Sequence, residues 1–591
     1  MIYLLRPSLV LGLLLLLSSF RLSAAAPDYV WAVKSTATDG VDSETIGTAA
    51  ATDSSGNVYV TGLVTGPSGF GSFAIGGGTF PLLFLVKYTP AGEPVWVKTF
   101  ATGKPVQCNA IAVDGNSVYV AGAASVAFHS SLAMLLLKYD TDGHPVWTNT
   151  AGASWTSFGS GPAASAAATS LSVDAAGNVY VGGSFTGQPA FAATNFTFSG
   201  IPFGHAGGGT FLSNNVPGNA STSDIFLAKF SSTGGFLWAK AAGGSNDDFG
   251  YGVAATANGN VWLTGSFGRQ ASFGDFSVVS TNEFIGDEGF IARYDGSGTA
   301  LSAMATWGEA SYKQVYAVAP DKGGGVFVAG RCSSGIMRLG TLYLTNTLTS
   351  PGFAGYTDTF LARLDSSGTA TWAKLIDRQT AGFGKEKSAV GIAVDKDGNF
   401  LLTGSYTDQI TFETTSLPSP SQPALFIASY NSSGGFQWAT SALAERASGQ
   451  EWAGGGTIYF IGNNIAADNA GNIYLTGVFR SDSGPAVFGS FNLTSHLDPF
   501  SVPSHDFFLT KLGSGGTPPK NPTIGSISVQ PGGAVQLTLS VATGSVVVEH
   551  SLDLTAWAKF STNNIVNGTV SFVDPAAVTG TAQFYRVSGQ F

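Results

Sequence analysis

Five residues on predicted links between repeated units have the clearest capacity for chemistry: two acids, two phenols and one amide. They are Asp247, Asp248, Tyr251, Tyr316 and Asn463. Carboxylates, phenols and amides bind the hydroxyl and amide groups of sugars and peptides. The same residues would also serve as solvated loop side chains that satisfy turns, and this alternative stays open. The pattern predicts a binding site without a metal ion or a cofactor.

Catalytic and metal-binding patterns are poor along the chain. The six histidines are scattered, none stands beside an obvious nucleophile, and no G-x-S-x-G elbow is present. His496, Asp498, His505 and Asp506 share one loop and form the best metal candidate, but short loops gather polar residues without binding anything. The DKDGN stretch at Asp395 lacks the ligand spacing of a calcium loop, and a tight Asp-Gly turn explains it. We therefore predict no catalytic residues and no metal site.

The elements that position the candidate residues come from a repeat. DSSGNVYVTG begins at Asp53, and six related phrases begin at Asp114, Asp174, Ala257, Asp321, Asp395 and Asp468. Their Asp-, Gly- and Asn-rich turns suit tight hairpins, and the alternating residues that follow are typical of strands. Each copy therefore predicts a hairpin.

A second phrase, F-L-x-K-Y, follows each hairpin and leads through a Gly turn to a fourth strand. Nine residues separate Lys87 from Trp96, and the same nine separate Lys138 from Trp147. A four-stranded unit in seven copies predicts an all-β, seven-bladed β-propeller. The seventh copy stops after Lys511, and YVWAVKS near the start of the chain carries an unassigned Trp31. The N-terminal strand is therefore predicted to complete the seventh blade.

The repeat, with D-x-x-G-N-x-Y-x-T-G, F-L-x-K-Y and G-x-x-x-W, resembles the secreted bacterial seven-bladed β-propeller repeat family, often abbreviated SBBP. The resemblance covers roughly residues 28–512. It implies the propeller fold and carries over no catalytic residues, because the repeat defines the family and an activity does not. VEHSLDLTAW and FYRV in the tail resemble a small C-terminal module of secreted verrucomicrobial proteins.

Four segments are predicted from these patterns and from the amino-terminal composition. Arg6, an apolar run and small residues before Pro27 are typical of a secretory signal peptide. No later stretch is long and apolar enough to span a membrane. The segments are a signal peptide at 1–25, a propeller at 27–512, a Gly/Pro linker at 513–522 and a β-sandwich at 523–591.

The net charge and the lengths of the loops indicate what kind of partner to expect and where it would bind. A formal net charge of −10 argues against nucleic acid as a partner. The links between second and third strands, with 42 residues between Gly183 and Phe226, are long and share one end of the propeller with the blade-to-blade links. We expect a secreted, monomeric, non-enzymatic binding or scaffold protein that recognises a glycan, peptide or surface partner there. The alternatives are an extracellular structural component and a propeller hydrolase or lyase.

Overall fold

The protein is described from a computed structural model. The part of the chain that it describes comprises residues 26–37, 39–78, 80–125, 132–152, 165–187, 190–191, 197–198, 201–202, 210–211, 222–280, 288–310, 312–333, 335–346, 357–376, 387–406, 408–420, 424–444, 464–481, 485–513, 523–529, 535–551, 558–574 and 584–590. These residues form strands and turns and contain no helix, so no helix among them could cross a membrane. The all-β prediction is confirmed.

Seven antiparallel sheets form the blades, each with strand order one to four from the axis outward. Blade 1 comprises Glu44–Thr52, Val58–Thr65, Leu82–Tyr88 and Pro94–Phe100; blade 2, Val106–Asp114, Ser117–Ser125, Leu132–Asp140 and Pro145–Gly152; blade 3, Ser165–Val173, Val179–Thr186, Asp224–Phe230 and Phe236–Ala242; blade 4, Phe249–Ala255, Val261–Phe267, Glu288–Tyr294 and Ala300–Trp307; blade 5, Lys313–Pro320, Val326–Ser333, Thr357–Leu364 and Ala370–Leu375; blade 6, Lys387–Val394, Phe400–Tyr406, Ala424–Tyr430 and Phe436–Ala444; and blade 7, Asn464–Ala467, Ile473–Phe479, Asp506–Gly513 and Asp28–Lys34.

The seventh blade is closed by the N-terminal strand, as predicted. Asp28–Lys34 pairs antiparallel with Asp506–Gly513, and Trp31 lies opposite Lys511. The first strands of neighbouring blades contact one another all the way round the ring, including blade 7 against blade 1. The two ends of the propeller are thus paired in one sheet, and no unpaired strand edge is left at the seam.

The core consists of seven apolar clusters, one between each pair of neighbouring blades in the described part of the chain. Each blade is therefore buried on both faces, which is why so few residues are charged. Cys108 and Cys332 are free, buried thiols in blades 2 and 5.

The lysine and tryptophan of the repeat share one acceptor in the next blade. Lys87 Nζ and Trp96 Nε1 donate to the carbonyl oxygen of Thr141 at 3.0 and 3.2 Å. At the seam, Lys511 Nζ and Trp31 Nε1 both donate to Pro90 at 3.1 Å. Because Lys and Trp are cross-strand partners, a change in the nine-residue spacing would separate the two donors.

The turn glycine beneath each tryptophan has a steric role. Gly298 adopts φ +84°, and a Cβ there would lie 3.0 Å from Trp238 of the preceding blade. Gly92 and Gly143 lie in the same way beneath Trp31 and Trp96. A left-handed turn and close contact with an indole together require glycine.

The D-x-x-G-N-x-Y turn is held by its own aspartate. Asp53 Oδ1 accepts from the backbone N–H groups of Ser55 and Asn57, while Oδ2 accepts from the Asn57 amide and the Tyr59 hydroxyl. Asp395 accepts the corresponding bonds from Asp397 and Asn399. The Asp-Gly turn therefore accounts for the DKDGN stretch, as predicted.

The F-G-x-F segments form short hairpins between second and third strands. The described inserted strand pairs are Ser68–Phe70 with Phe73–Ile75, Ala190–Phe191 with Thr210–Phe211, Thr197–Phe198 with Ile201–Pro202, Gln270–Phe273 with Phe276–Val279, Gly335–Leu339 with Leu342–Asn346, Ile410–Phe412 with Thr415–Leu417, and Ala486–Phe488 with Phe491–Leu493. Phe70 is buried, with its ring centroid 4.8 Å from that of Phe84 in its own blade. Phe273 and Phe488, the first phenylalanines of the other two F-G-x-F segments, are buried as well, so these segments pack back on their blades.

Several hairpins also extend the outer edge of the preceding blade. Gly335–Leu339 of blade 5 pairs with the fourth strand of blade 4, at Trp307 opposite Arg338. Ala486–Phe488 of blade 7 pairs in the same way with Phe436–Ala444 of blade 6. The long links therefore fasten neighbouring blades together at the ring's circumference.

The tail beyond residue 522 forms one antiparallel sheet of four described strands, Thr523–Val529, Val535–Ser551, Ala558–Asp574 and Phe584–Gln590. Val535–Ser551 pairs with Ala558–Asp574 along its length and with the other two strands at its two ends. VQLTLSV and SVVVEHS both lie in Val535–Ser551, which is one continuous strand. The signal peptide and the linker at 514–522 lie outside the described residues, and the segment boundaries stay predictions.

Candidate functional site

A β-bulge marks the first strand of every blade from 1 to 6. The pairing register skips one residue in each of these strands: Thr48, Asn109, Thr169, Tyr251, Tyr316 and Val390. A bulge adds a residue to one strand and re-aims its side chain. Asn463, the equivalent position of blade 7, lies outside the described residues. The bulges therefore define a belt of side chains around the propeller axis.

The polar half of this belt joins neighbouring blades. The amide of Asn109 donates to the carbonyl oxygen of Ala168 at 2.7 Å, and Thr169 Oγ1 donates to Gly250 at 2.7 Å. Asn109 is exposed, and Thr169 is half-buried. These side chains fix the spacing of the innermost strands while remaining accessible from the axis.

The opposite half of the belt is aromatic. The ring centroids of Tyr251 and Tyr316, from the first strands of blades 4 and 5, are 5.3 Å apart at 46°. Phe249 stacks on Tyr251 at 6.3 Å and 8°. Tyr251 Oη lies 3.1 Å from Ser266 Oγ, which orients the phenol. The structure thus brings together two of the predicted site residues, Tyr251 and Tyr316. We call these two tyrosines and the neighbouring Phe249 the aromatic belt.

A cation and an amide accompany the aromatic belt, and the sequence analysis missed both. Arg331 lies in the second strand of blade 5, opposite Gln314 in register. Arg331 Nε donates to Gln314 Oε1 at 2.8 Å, and its guanidinium carbon lies 5.4 Å from the Tyr316 ring centroid. The Tyr316 hydroxyl donates to the same Gln314 oxygen. The available signal was the arginine directly after V-F-V-A-G, where the other repeats have a small or apolar residue or serine.

Asp248 is a buried link residue and does not join the aromatic belt. Its carboxylate accepts from the backbone N–H groups of Gly244 at 2.6 Å and Gly268 at 3.0 Å. Burial raises the pKa of Asp248 to about 8, and the charges of Asp224 and Asp247 act in the same direction. Asp248 therefore holds the turn between blades 3 and 4.

Asp247 is exposed, and its carboxylate accepts from the backbone N–H of Ser223 at 2.8 Å. It lies in the link between blades 3 and 4, two residues before the strand that begins at Phe249. Asp247 is thus the one predicted acid on the accessible side of this link.

The proposed metal cluster of the seventh blade does not assemble. Asp498 accepts from the backbone N–H groups of Phe500 and Val502 in a turn, and His505 Nδ1 lies 2.9 Å from Glu44 Oε1. His496 Nδ1 lies instead 3.0 Å from Asp506 Oδ1. Among the described residues, no three His, Cys, Asp or Glu side chains form a group that would hold a metal ion.

His496 does lie beside a hydroxyl that the sequence analysis did not connect to it. Its Nε2 is 3.5 Å from Ser43 Oγ, and Asp506 also accepts from Ser35 Oγ at 2.9 Å. Lys34 Nζ lies 3.6 Å from the same carboxylate. Ser43, His496 and Asp506 are all buried. Their side chains form part of a hydrogen-bonded network across the ring seam.

Asp506 belongs to a recurring set of buried acids that sequence reasoning also missed. Two residues before the phenylalanine of F-L-x-K-Y stand Asp224, Glu288, Asp358 and Asp506, all buried. Glu288 forms an ion pair with Lys313 of blade 5 at 2.9 Å, while burial raises the pKa of Glu288 to about 6. The fixed offset from the phenylalanine was a readable signal.

The chain matches no protein-family model. It is 24% identical over 425 residues to an uncharacterised WD repeat-containing protein of Acanthamoeba polyphaga mimivirus, covering 62% of this chain and 28% of that protein's length. The chain thus spans well under a third of that relative, and the distant likeness supports the propeller.

Two solved structures are similar at 10% identity or less. One is a glycoside hydrolase with a TM-score of 0.24, covering 82% of this chain and 93% of that one. The other is an extracellular domain from B. thetaiotaomicron assigned to a one component system, at 9% identity and a TM-score of 0.14, covering 95% and 97%. The propeller assignment rests on the strand pairing described above, since likenesses this weak carry no functional argument.

Proposed function

We propose that this protein is a secreted, non-enzymatic binding or scaffold protein that takes a glycan, peptide or surface partner at the long-link end of the propeller. The contact between Tyr251 and Tyr316 carries the proposal. The signal-peptide pattern at 1–25 supports the location, and the repeat's likeness to the SBBP family agrees with it. Loops on a rigid scaffold are common binding sites.

The belt has the two kinds of surface that a sugar or peptide needs. Phe249, Tyr251 and Tyr316 offer ring faces that pack on the apolar side of a pyranose or on a side chain. Thr48, Asn109 and Thr169, on the other side of the axis, offer hydroxyl and amide groups. All six positions lie in first strands of blades, so ligand binding requires little ordering of the protein.

A binding screen with matched variants tests the proposal. The mature chain is applied to a glycan and peptide array, and the hits are measured by titration calorimetry. Tyr251→Ala with Tyr316→Ala is expected to weaken binding at least about tenfold, because each buried aromatic contact contributes about 1 kcal/mol or more. Tyr343→Ala is the control, since Tyr343 is exposed on an inserted hairpin at the circumference. Equal loss in both variants would contradict the belt as the site.

The non-enzymatic part of the proposal has its own test. Ser43, His496 and Asp506 have the side-chain order of a hydrolase triad, so Ser43 is the serine to test for nucleophilic activity. Ser43 is buried, so we expect no labelling by a fluorophosphonate probe. Labelling that disappears in Ser43→Ala would overturn this part.

A further inference from the structure

We infer that the aromatic belt selects an acidic pyranose, such as a uronate residue of a polysaccharide, with Arg331 binding its carboxylate. This inference rests on the proposed function and specifies its ligand class. Tyr316 and Arg331 are adjacent, with the guanidinium 5.4 Å from the ring centroid. A sugar ring packed on Tyr251 and Tyr316 would therefore bring a ring substituent within reach of a cation.

Arg331 is held in place by the protein before any ligand arrives. Its Nε–H donates to Gln314 Oε1 at 2.8 Å, and Gln314 is itself buried and accepts from the Tyr316 hydroxyl. A guanidinium fixed at Nε presents its two terminal nitrogens as a planar fork, which matches the two oxygens of a carboxylate. Little side-chain entropy is then lost on binding.

The charge of Arg331 is not balanced by a carboxylate in the described part of the chain. Lys313 and Arg363, by contrast, have such a partner, Glu288 at 2.9 Å and Asp321 at 2.6 Å. Arg331 is half-buried, and none of the ion pairs of the described residues includes it. In a chain of formal net charge −10, a rigid cation without a protein counter-charge favours an anionic ligand.

The acids of the neighbouring link oppose an anion only weakly. The raised pKa of Asp248, about 8, keeps that carboxyl mostly protonated at neutral pH. Asp247 is exposed, and solvent and salt screen its charge over about a Debye length of 8 Å. In the part of the chain that the structure describes, Arg331 is therefore the cation that lies against Tyr316.

The experiment compares tetragalacturonate with its fully methyl-esterified form, which keeps the ring and removes the charge. Titration calorimetry at low and moderate salt is expected to show that the mature chain binds the acid at least about tenfold more tightly than the ester. Arg331→Gln is expected to abolish this preference, so that the acid and the ester bind with the same affinity. Arg331→Lys is expected to restore only part of it, because an ammonium has no planar fork.

Arg338→Gln is the matched control, because Arg338 also stacks on a tyrosine, Tyr343 at 4.6 Å, but on the inserted hairpin. It is expected to bind both ligands as the unmodified protein does, and thermal unfolding checks the folding of every variant. Equal affinity for acid and ester, an unaffected Arg331→Gln variant, or no uronate binding overturns the inference. If a neutral glycan or a peptide still binds and the Tyr251 and Tyr316 variants lose it, the proposed function stands without the acid selectivity.

Discussion

Asp248 shows at the scale of one residue how a backbone turn can hold a carboxyl group out of water. It lies between blades 3 and 4, accepts two backbone N–H groups and faces the neighbouring acid Asp224 across Gly243. Gly243 adopts φ +142°, and a Cβ there would lie 2.2 Å from Asp224 Oδ1 and 2.8 Å from Asp248 Oδ2. The sequence analysis selected Asp248 for its type, but its surroundings make it structural.

Asp248→Asn is expected to change the pH dependence of stability. With a folded pKa of about 8 and an unfolded pKa of about 4, the native state holds a proton that the unfolded state has lost between these values. The free energy of unfolding therefore falls as pH rises through this window, by up to about 1.4 kcal/mol per pH unit. Asn cannot ionise, so the free energy of unfolding of the variant rises by about 2.5 kcal/mol relative to that of the unmodified protein between pH 5 and pH 7, measured by urea denaturation.

Asp295→Asn is the control for this prediction. The hydrogen bond from Ser297 lowers the pKa of Asp295, so its contribution to stability is present above the unfolded pKa and is lost as pH falls through the folded pKa. The difference in free energy of unfolding between Asp295→Asn and the unmodified protein should stay constant between pH 5 and pH 7. A constant difference for Asp248→Asn as well would show that Asp248 is ionised in the native protein.

At the scale of the element, the third-to-fourth turns of blades 1 to 4 connect each of these blades to the blade before it. The turn carbonyl accepts from a lysine and a tryptophan, and the turn glycine lies beneath the indole, as for Gly296, Gly298 and Trp238. The residues of the repeat therefore form contacts with the neighbouring blade as well as within their own blade. This explains why a spacing within one blade is conserved around the ring.

Gly298→Ala is expected to destabilise the protein more than Gly259→Ala does. The backbone φ angles of the two glycines are nearly the same, +84° and +82°. An alanine in this left-handed conformation therefore costs about the same free energy at both positions. A Cβ at Gly298 would lie 3.0 Å from Trp238, whereas a Cβ at Gly259 would meet nothing within 4 Å. Overpacking should add about 1–3 kcal/mol at Gly298, measured by denaturant unfolding. Equal costs would mean that the indole moves aside freely.

At the scale of the whole molecule, the ring is held closed by the same contacts that join its blades. Trp31 and Lys511 donate to Pro90 just as Trp147 and Lys138 donate to Ser232 within the ring. The seam adds the network of Ser35, Ser43, His496 and Asp506. Chain ends that are distant in sequence thereby form one sheet.

Trp31→Ala is expected to release the closing strand without unfolding the ring. A buried tryptophan replaced by alanine costs about 3–5 kcal/mol, and here most of that cost falls on a terminal strand. Limited proteolysis with mass spectrometry should then show native-state cleavage between residues 26 and 43. Trp147→Ala, a matched change within blade 2, should give no such terminal cleavage. Protection of this segment in Trp31→Ala would contradict the idea that Trp31 holds the seam.

Blade number, strand order and ring closure were all readable from the sequence, because repeat spacing and strand alternation are local properties. The missing fourth strand of the last repeat and the spare Trp31 were enough to predict the seam. Tyr251 and Tyr316 were also identified, but as residues of blade-to-blade links, whereas both lie in the first strands of their blades.

Tertiary structure alone decided which of these groups meet. Arg331 and Gln314 join Tyr316 because antiparallel pairing places them opposite each other, and Asp248 leaves the candidate set because its link folds inward. His496 reaches Ser43 only through ring closure, across 453 residues of sequence. Local sequence carries the strand pattern, but contacts between side chains on different strands and blades depend on the register and curvature of the complete ring.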